Sequence, residues 1–174
     1  TQGGNAAAIY PICALIYITL GVSECTGQIV SQHVGAGRYD RIDRIVFQCT
    51  VTATLVGLVL GILGNVFGTS ILSTIDRRPE AIASGMIRIF YAGGFVWLMA
   101  IEETMQHVLR GLKYDWLPSI LAFFGACMSR IVWIYTVFQL PGYHTEEGLL
   151  LCFPVSWLIT GAFYLTAYFI IRRG

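Results

Sequence analysis

Charged side chains are scarce in this chain. Its 174 residues include eleven Lys and Arg and ten Asp and Glu, 12% in all, where an average soluble domain carries about 25%. So few charges cannot clothe an ordinary water-facing surface, and the mean hydropathy of +0.68 points the same way; the sequence reads as a polytopic membrane protein. A basic patch is missing too. The formal net charge is +1 and the Lys and Arg residues are scattered, which excludes a nucleic-acid surface. No C-x-x-C spacing occurs among Cys13, Cys25, Cys49, Cys127 and Cys152. Each lies in an apolar segment, where a thiol is a poor ligand and nucleophile, so the five are expected to be packing residues, with no metal site and no disulfide. Gly35-Ala36-Gly37 lacks the strand and third glycine of a dinucleotide fingerprint. With no P-loop, kinase signature, or Ser-His-Asp or Cys-His arrangement, an enzyme is not expected. An initiating Met and a signal peptide are absent as well, which leads to the expectation that the protein begins upstream of Thr1.

Long apolar runs are what the sequence does have. Five are able to cross about 30 Å of hydrocarbon as helices: Ala6 to Val34, Val46 to Ile75, Glu80 to Leu109, Trp116 to Phe138 and Gly148 to Ile171. The expected fold is all-α, a transmembrane bundle of five spans in contact with the lipid bilayer. The first three runs are long enough to require tilt, kinking or projection, and Pro11, Gly93-Gly94 and Pro154 are the expected kink sites. Arg38, Arg41, Arg44, Arg110, Lys113, Arg172 and Arg173 fall on one side, and only Arg77 and Arg78 on the other. The positive-inside rule makes the richer side, and with it the C-terminus, cytoplasmic. An N-terminus outside with no signal sequence again implies a preceding helix.

Ala53, Gly57 and Gly61, followed by Gly64 and Gly68, form a small-residue stripe on the second span, suited to close helix packing. Tyr114, Trp116, Tyr143, Tyr168 and Phe169 suit an aromatic belt at the interfaces. His33 and His144 fall at or beyond helix ends, where solvent is expected to reach them. Arg88 lies about two turns inside its span, within snorkelling reach of the headgroups.

Polar residues within the spans are expensive and point to function. Glu102 and Glu103 adjoin in the third span, yet Glu103, Gln106, His107 and Arg110 recur at i, i+3, i+4 and i+7 and share one face, while Glu102 is rotated about 100° away. Carboxylate and imidazole suit cation binding or proton transfer; the alternative is a polar stripe that seals two helices. Helical rise places Glu103 roughly 10 Å from the basic end, Glu24 roughly 16 Å and Arg130 roughly 21 Å. Matched by depth, Arg130 is expected to face the interior and bridge to Glu24, leaving Glu103 without a full-time counter-charge.

Four runs carry a resemblance. Thr26-Gly27-Gln28-Ile29-Val30-Ser31-Gln32-His33-Val34-Gly35-Ala36-Gly37 with Tyr39-Asp40-Arg41, then Val108-Leu109-Arg110-Gly111-Leu112, Arg130-Ile131-Val132-Trp133 and Phe153-Pro154-Val155-Ser156-Trp157-Leu158-Ile159-Thr160 resemble, in order, motifs of the multidrug and toxic compound extrusion (MATE) family. The resemblance implies that residues 1–174 are helices eight to twelve of a twelve-helix transporter, a partial C-terminal lobe whose first helix and whose partner, the N-terminal lobe, are missing. It also implies an antiporter in the plasma or inner membrane, expelling cationic or amphiphilic drug-like molecules in exchange for H⁺ or Na⁺, with no other cofactor. The resemblance aligns Glu103 with the acidic residue that, in a common bacterial branch of the family, stands seven positions before the loop arginine. Glu103, His107 and Glu24 are the candidates for ion coupling, and Gln106, Arg130 and Glu102 for a substrate-binding or structural polar network. The sequence departs from the pattern at Lys113, usually Gly, and at Gln106-His107, usually small or apolar. The alternatives are a lipid-linked oligosaccharide flippase of the same superfamily, disfavoured by the few basic residues, and a membrane scaffold that transports nothing.

Overall fold

The computed structural model describes residues 2–75, 77–139 and 145–173, and these are helical with short connections. The helices are α1 (Gln2–Gly35), α2 (Ile42–Ile75), α3 (Pro79–Arg88), α4 (Val96–Gly111), α5 (Trp116–Ala122), α6 (Ser129–Tyr135), α7 (Glu146–Leu150) and α8 (Cys152–Arg173). A 3₁₀ turn at Tyr39–Arg41 leads into α2, and π-helical turns at Ile89–Gly93 and Phe123–Met128 join α3 to α4 and α5 to α6. Five stretches are long and apolar enough to cross a membrane: Ala8–Gly35, Tyr39–Ile75, Pro79–Gly111, Trp116–Tyr135 and Glu147–Arg173. The five expected spans are therefore present. His144 and Tyr143 lie outside the described residues.

The helix ends follow from local chemistry. Pro79 occupies the first turn of α3, where its missing N–H costs nothing, and Thr145 caps α7 by accepting a hydrogen bond from the Gly148 N–H at 3.1 Å. At the basic end, α1 and α4 close with the same motif. In α1 the Arg38 and Gly37 N–H groups donate to the His33 and Val34 carbonyls, and in α4 the Tyr114 and Lys113 N–H groups donate to those of Leu109 and Arg110. The pivotal residue is left-handed in both, Gly37 at φ +68° and Lys113 at φ +69°. The first suits glycine; the second places a side chain where L-residues lose roughly 1–2 kcal/mol. That backbone geometry favours glycine at the position of Lys113.

Two of the three expected kink sites coincide with interruptions. Gly94 N–H is shared between the Ile89 and Phe90 carbonyls at 2.9 and 3.1 Å, closing the wide turn ahead of α4. Pro154 follows the break between α7 and α8. Pro11 does not divide α1, which runs on as one helix. The π turn at Phe123–Met128 was not foreseen.

At the centre of the bundle, α4 packs against α1, α2 and α8. Toward the basic end its core is Val30, Ile42, Val46, Met105, Val108, Leu109, Tyr164 and Tyr168; a second cluster of Ala8, Ile12, Leu72, Ile89 and Ala92 fills the opposite end. The small-residue stripe on α2 is buried, with Gly57, Gly61 and Gly68 against the third span and Gly64 against Leu15 of α1. A Cβ on Gly57 would lie 2.9 Å from Trp97 Cα, and one on Gly61 2.9 Å from the Gly93 carbonyl oxygen. Close backbone approach replaces the hydrophobic force that lipid cannot supply. The opposite face of α2, carrying Leu55, Val59, Ile62 and Val66, is exposed and apolar, as a lipid-facing surface requires.

Candidate functional site

The stripe on α4 is assembled as the helical spacing requires. Glu103 and His107 stand one turn apart, Oε2 to Nε2 4.0 Å, with side chains 23% and 20% exposed. With its amide oriented to satisfy both neighbours, Gln106 donates to Glu103 Oε2 at 3.3 Å and accepts from Arg110 Nη2 at 2.8 Å. Arg110 thus reaches Glu103 through an amide, without a direct ion pair.

Alongside, α1 and α4 enclose a polar groove of about 590 Å³ lined by Glu24, Gln28, Ser31, Gln32, His107 and Arg110. The helices cross so closely that a Cβ on Gly27 would lie 2.9 Å from the His107 carbonyl oxygen, and one on Gly111 2.7 Å from that of Gly27. These two glycines, one in each of the first two motif runs, set the crossing on which the groove depends. Farther along this seam, buried Thr104 donates to Ser23 at 3.1 Å, and Thr19 and Thr26 are buried on the same face of α1. His107 belongs both to the groove and to the contact with Glu103, which itself does not line the groove. The charges bearing on His107 include those of Arg110 and Glu24. Among the described residues, no three of His, Cys, Asp or Glu gather to hold a metal ion.

Glu102 lies elsewhere. It is 7% exposed, at the seam where α4 meets α8, with its own Cα 3.9 Å from the position a Cβ would take on Gly161. The expected bridge between Arg130 and Glu24 is not formed. Arg130 Nε donates to Ser156 Oγ at 3.2 Å, its guanidinium stands 4.8 Å from the Phe153 ring centroid, and the carboxylate on which its charge bears is Glu102. Depth along the membrane matched Arg130 to Glu24, but α6 packs on α8, whereas Glu24 belongs to the α1–α4 seam. The last two motif runs are thereby explained together. Trp133 Nε1 donates to the Gly148 carbonyl at 3.0 Å, and Gly125 lies so close to Thr160 that a Cβ would stand 2.6 Å from Oγ1.

Two other expectations meet the structure. Arg88 is half-buried and lines a cavity of about 150 Å³ with Ile12, Cys13, Phe153 and Trp157. His33 Nδ1 lies 2.9 Å from the Ile29 carbonyl oxygen at the end of α1.

A polar clasp at the basic end escaped the sequence reading. Arg172 makes a bidentate pair with Asp43, Nε to Oδ1 2.9 Å and Nη2 to Oδ2 2.7 Å, and donates to the Tyr39 carbonyl at 3.1 Å; the Tyr168 hydroxyl also donates to Asp43. Tyr168 and Arg172 are one turn apart on α8, and that spacing was the available signal.

Five membrane-length segments, the third of them at the centre of the bundle and bordered by a polar groove, define a multi-pass membrane protein. The chain belongs to the MatE family, whose model matches residues 6–136. A relative described as the probable multidrug resistance protein NorM of Thermotoga maritima is 22% identical over 111 residues, covering 64% of this chain and 24% of that protein. The match thus spans about a quarter of the relative's length. No solved structure matches.

Proposed function

We propose that this chain forms part of the C-terminal lobe of a cation-coupled efflux antiporter that exports cationic or amphiphilic small molecules by alternating access, and that Glu103 is its coupling carboxylate. The placement of Glu103 carries the reading. It is accessible enough to exchange an ion, it adjoins a polar groove through His107, and its only described neighbours of opposite charge act through Gln106 or at the range of an imidazole. A static seam of the kind a scaffold needs would hold such a group fully paired. The family match and the multidrug-resistance description of the relative favour a transporter over an enzyme.

In this mechanism H⁺ or Na⁺ neutralises Glu103 from the groove. The carboxylate then loosens its hold on Gln106, Arg110 loses the charge it senses through the amide, and α4 repacks about the turn at Ile89–Gly94. Exchange requires the ion to bind the two conformations unequally, because equal affinity shifts no equilibrium. The charge asymmetry supports an orientation in the cell's inner or plasma membrane with Arg38, Lys113 and Arg172 on the cytoplasmic side. Efflux of a fluorescent cation from vesicles, measured under imposed Na⁺ and H⁺ gradients, tests the coupling. One gradient should accelerate export and its dissipation should stop it; export indifferent to both ions overturns the reading.

A further inference from the structure

Two grooves flank Phe169 on α8 near the basic end. One, about 310 Å³, runs between α2, α4 and α8 past Val46, Phe47, Thr50, Met105 and Leu165. The other, about 340 Å³, is bordered by Thr166, Ile170 and Arg173. Phe169 belongs to both and is 55% exposed, a ridge between two troughs. Arg173 borders the second groove. Arg44 stands one turn before Phe47 and Arg173 one turn beyond Phe169, and both are exposed. Asp43, which lines the first groove, is held bidentately by Arg172, so the exposed Arg44 and Arg173 set the sign of the field. The face is also continuous with the exposed apolar side of α2 and lies away from the polar groove, whose lining comes from α1 and α4.

We infer that this face binds one anionic diacyl phospholipid, its two acyl chains straddling Phe169 in the paired grooves and its phosphate held between Arg44 and Arg173. Two apolar troughs meeting under a cationic rim match the shape and charge of such a lipid: twin tails and a negative head. A partner helix would need one continuous groove and would leave the rim charges facing apolar side chains. The Asp43–Arg172–Tyr168 clasp supports the site by fixing α2 against α8 at the spacing that forms the first groove. A basic residue near an anionic headgroup favours binding roughly fivefold, so the two arginines together give a marked preference for anionic over zwitterionic lipid, weakened by salt.

The test uses the full chain with Phe169→Trp, an aromatic exchange on the ridge, reconstituted in phosphatidylcholine vesicles. These contain equal small fractions of either dibrominated phosphatidylglycerol or dibrominated phosphatidylcholine. The expected result is severalfold stronger quenching of the added tryptophan by the brominated phosphatidylglycerol, with the preference abolished when Arg44→Gln and Arg173→Gln are added. Equal quenching by the two lipids shows an ordinary lipid boundary and overturns the proposal; no quenching by either shows that protein covers this face, and overturns it too. Native mass spectrometry of the parent chain gives a readout free of the tryptophan. Phosphatidylglycerol should be retained over phosphatidylcholine, and equal retention contradicts the site.

Discussion

Glu102 and Glu103 share a peptide bond and little else. A single residue's rotation, about 100°, sends Glu102 into the α4–α8 seam within the influence of Arg130 and sends Glu103 toward Gln106 and His107. That separation was legible in the sequence, because the i, i+3, i+4, i+7 spacing needs only a helix. The partner of Arg130 was not legible, since depth along a helix says nothing of which neighbour it faces. Arg130→Ala should destabilise the protein by about 2–3 kcal/mol, from the lost hydrogen bond to Ser156 and the lost contact with Phe153, seen as a lower unfolding midpoint in detergent. Arg130→Lys should recover only part of this, because an ammonium lacks the planar fork. Lys113→Gly should act oppositely, raising stability by about 1 kcal/mol through relief of the left-handed backbone. An unchanged midpoint would remove the strain argument.

At the scale of elements, four motif runs resolve into two packing seams. The Gly27 and Gly111 runs join α1 to α4, and the Arg130-Trp133 and Ser156-Thr160 runs join α6 and its π turn to α8. Gly27→Ala and Gly111→Ala each place a Cβ within 3 Å of a carbonyl oxygen and should cost about 1–3 kcal/mol as the helices are forced apart. Gly35→Ala meets nothing within 4 Å and serves as the neutral control. Comparable losses in all three, by thermal unfolding, would mean that helix crossing is not what the glycines secure. The helices themselves were evident from apolar length, since lipid forces the backbone to satisfy its own hydrogen bonds. The π turns were less evident. Gly93-Gly94 marked one, while Phe123–Met128 offers no comparable signal: what holds it there is Thr160 pressed against Gly125, a tertiary contact.

For the whole molecule, the arrangement sorts polar from apolar. The groove between α1 and α4 gathers Glu24, Gln28, His107 and Arg110, while α2 presents an apolar flank. The Asp43–Arg172 clasp closes the basic end across the bundle, yet Asp43 is 61% exposed, so Asp43→Asn should cost less than about 1 kcal/mol, and less in high salt. Its larger consequence should be a looser α2–α8 contact, visible as faster amide exchange at Tyr39–Arg41. The direct test of the proposed coupling role is gradient-driven efflux from vesicles carrying the protein with Glu103→Gln compared with Glu102→Gln, both inserted at parental levels. The account predicts that Glu103→Gln abolishes ion-coupled export while Glu102→Gln retains most of it. Parental export rates in Glu103→Gln would contradict it.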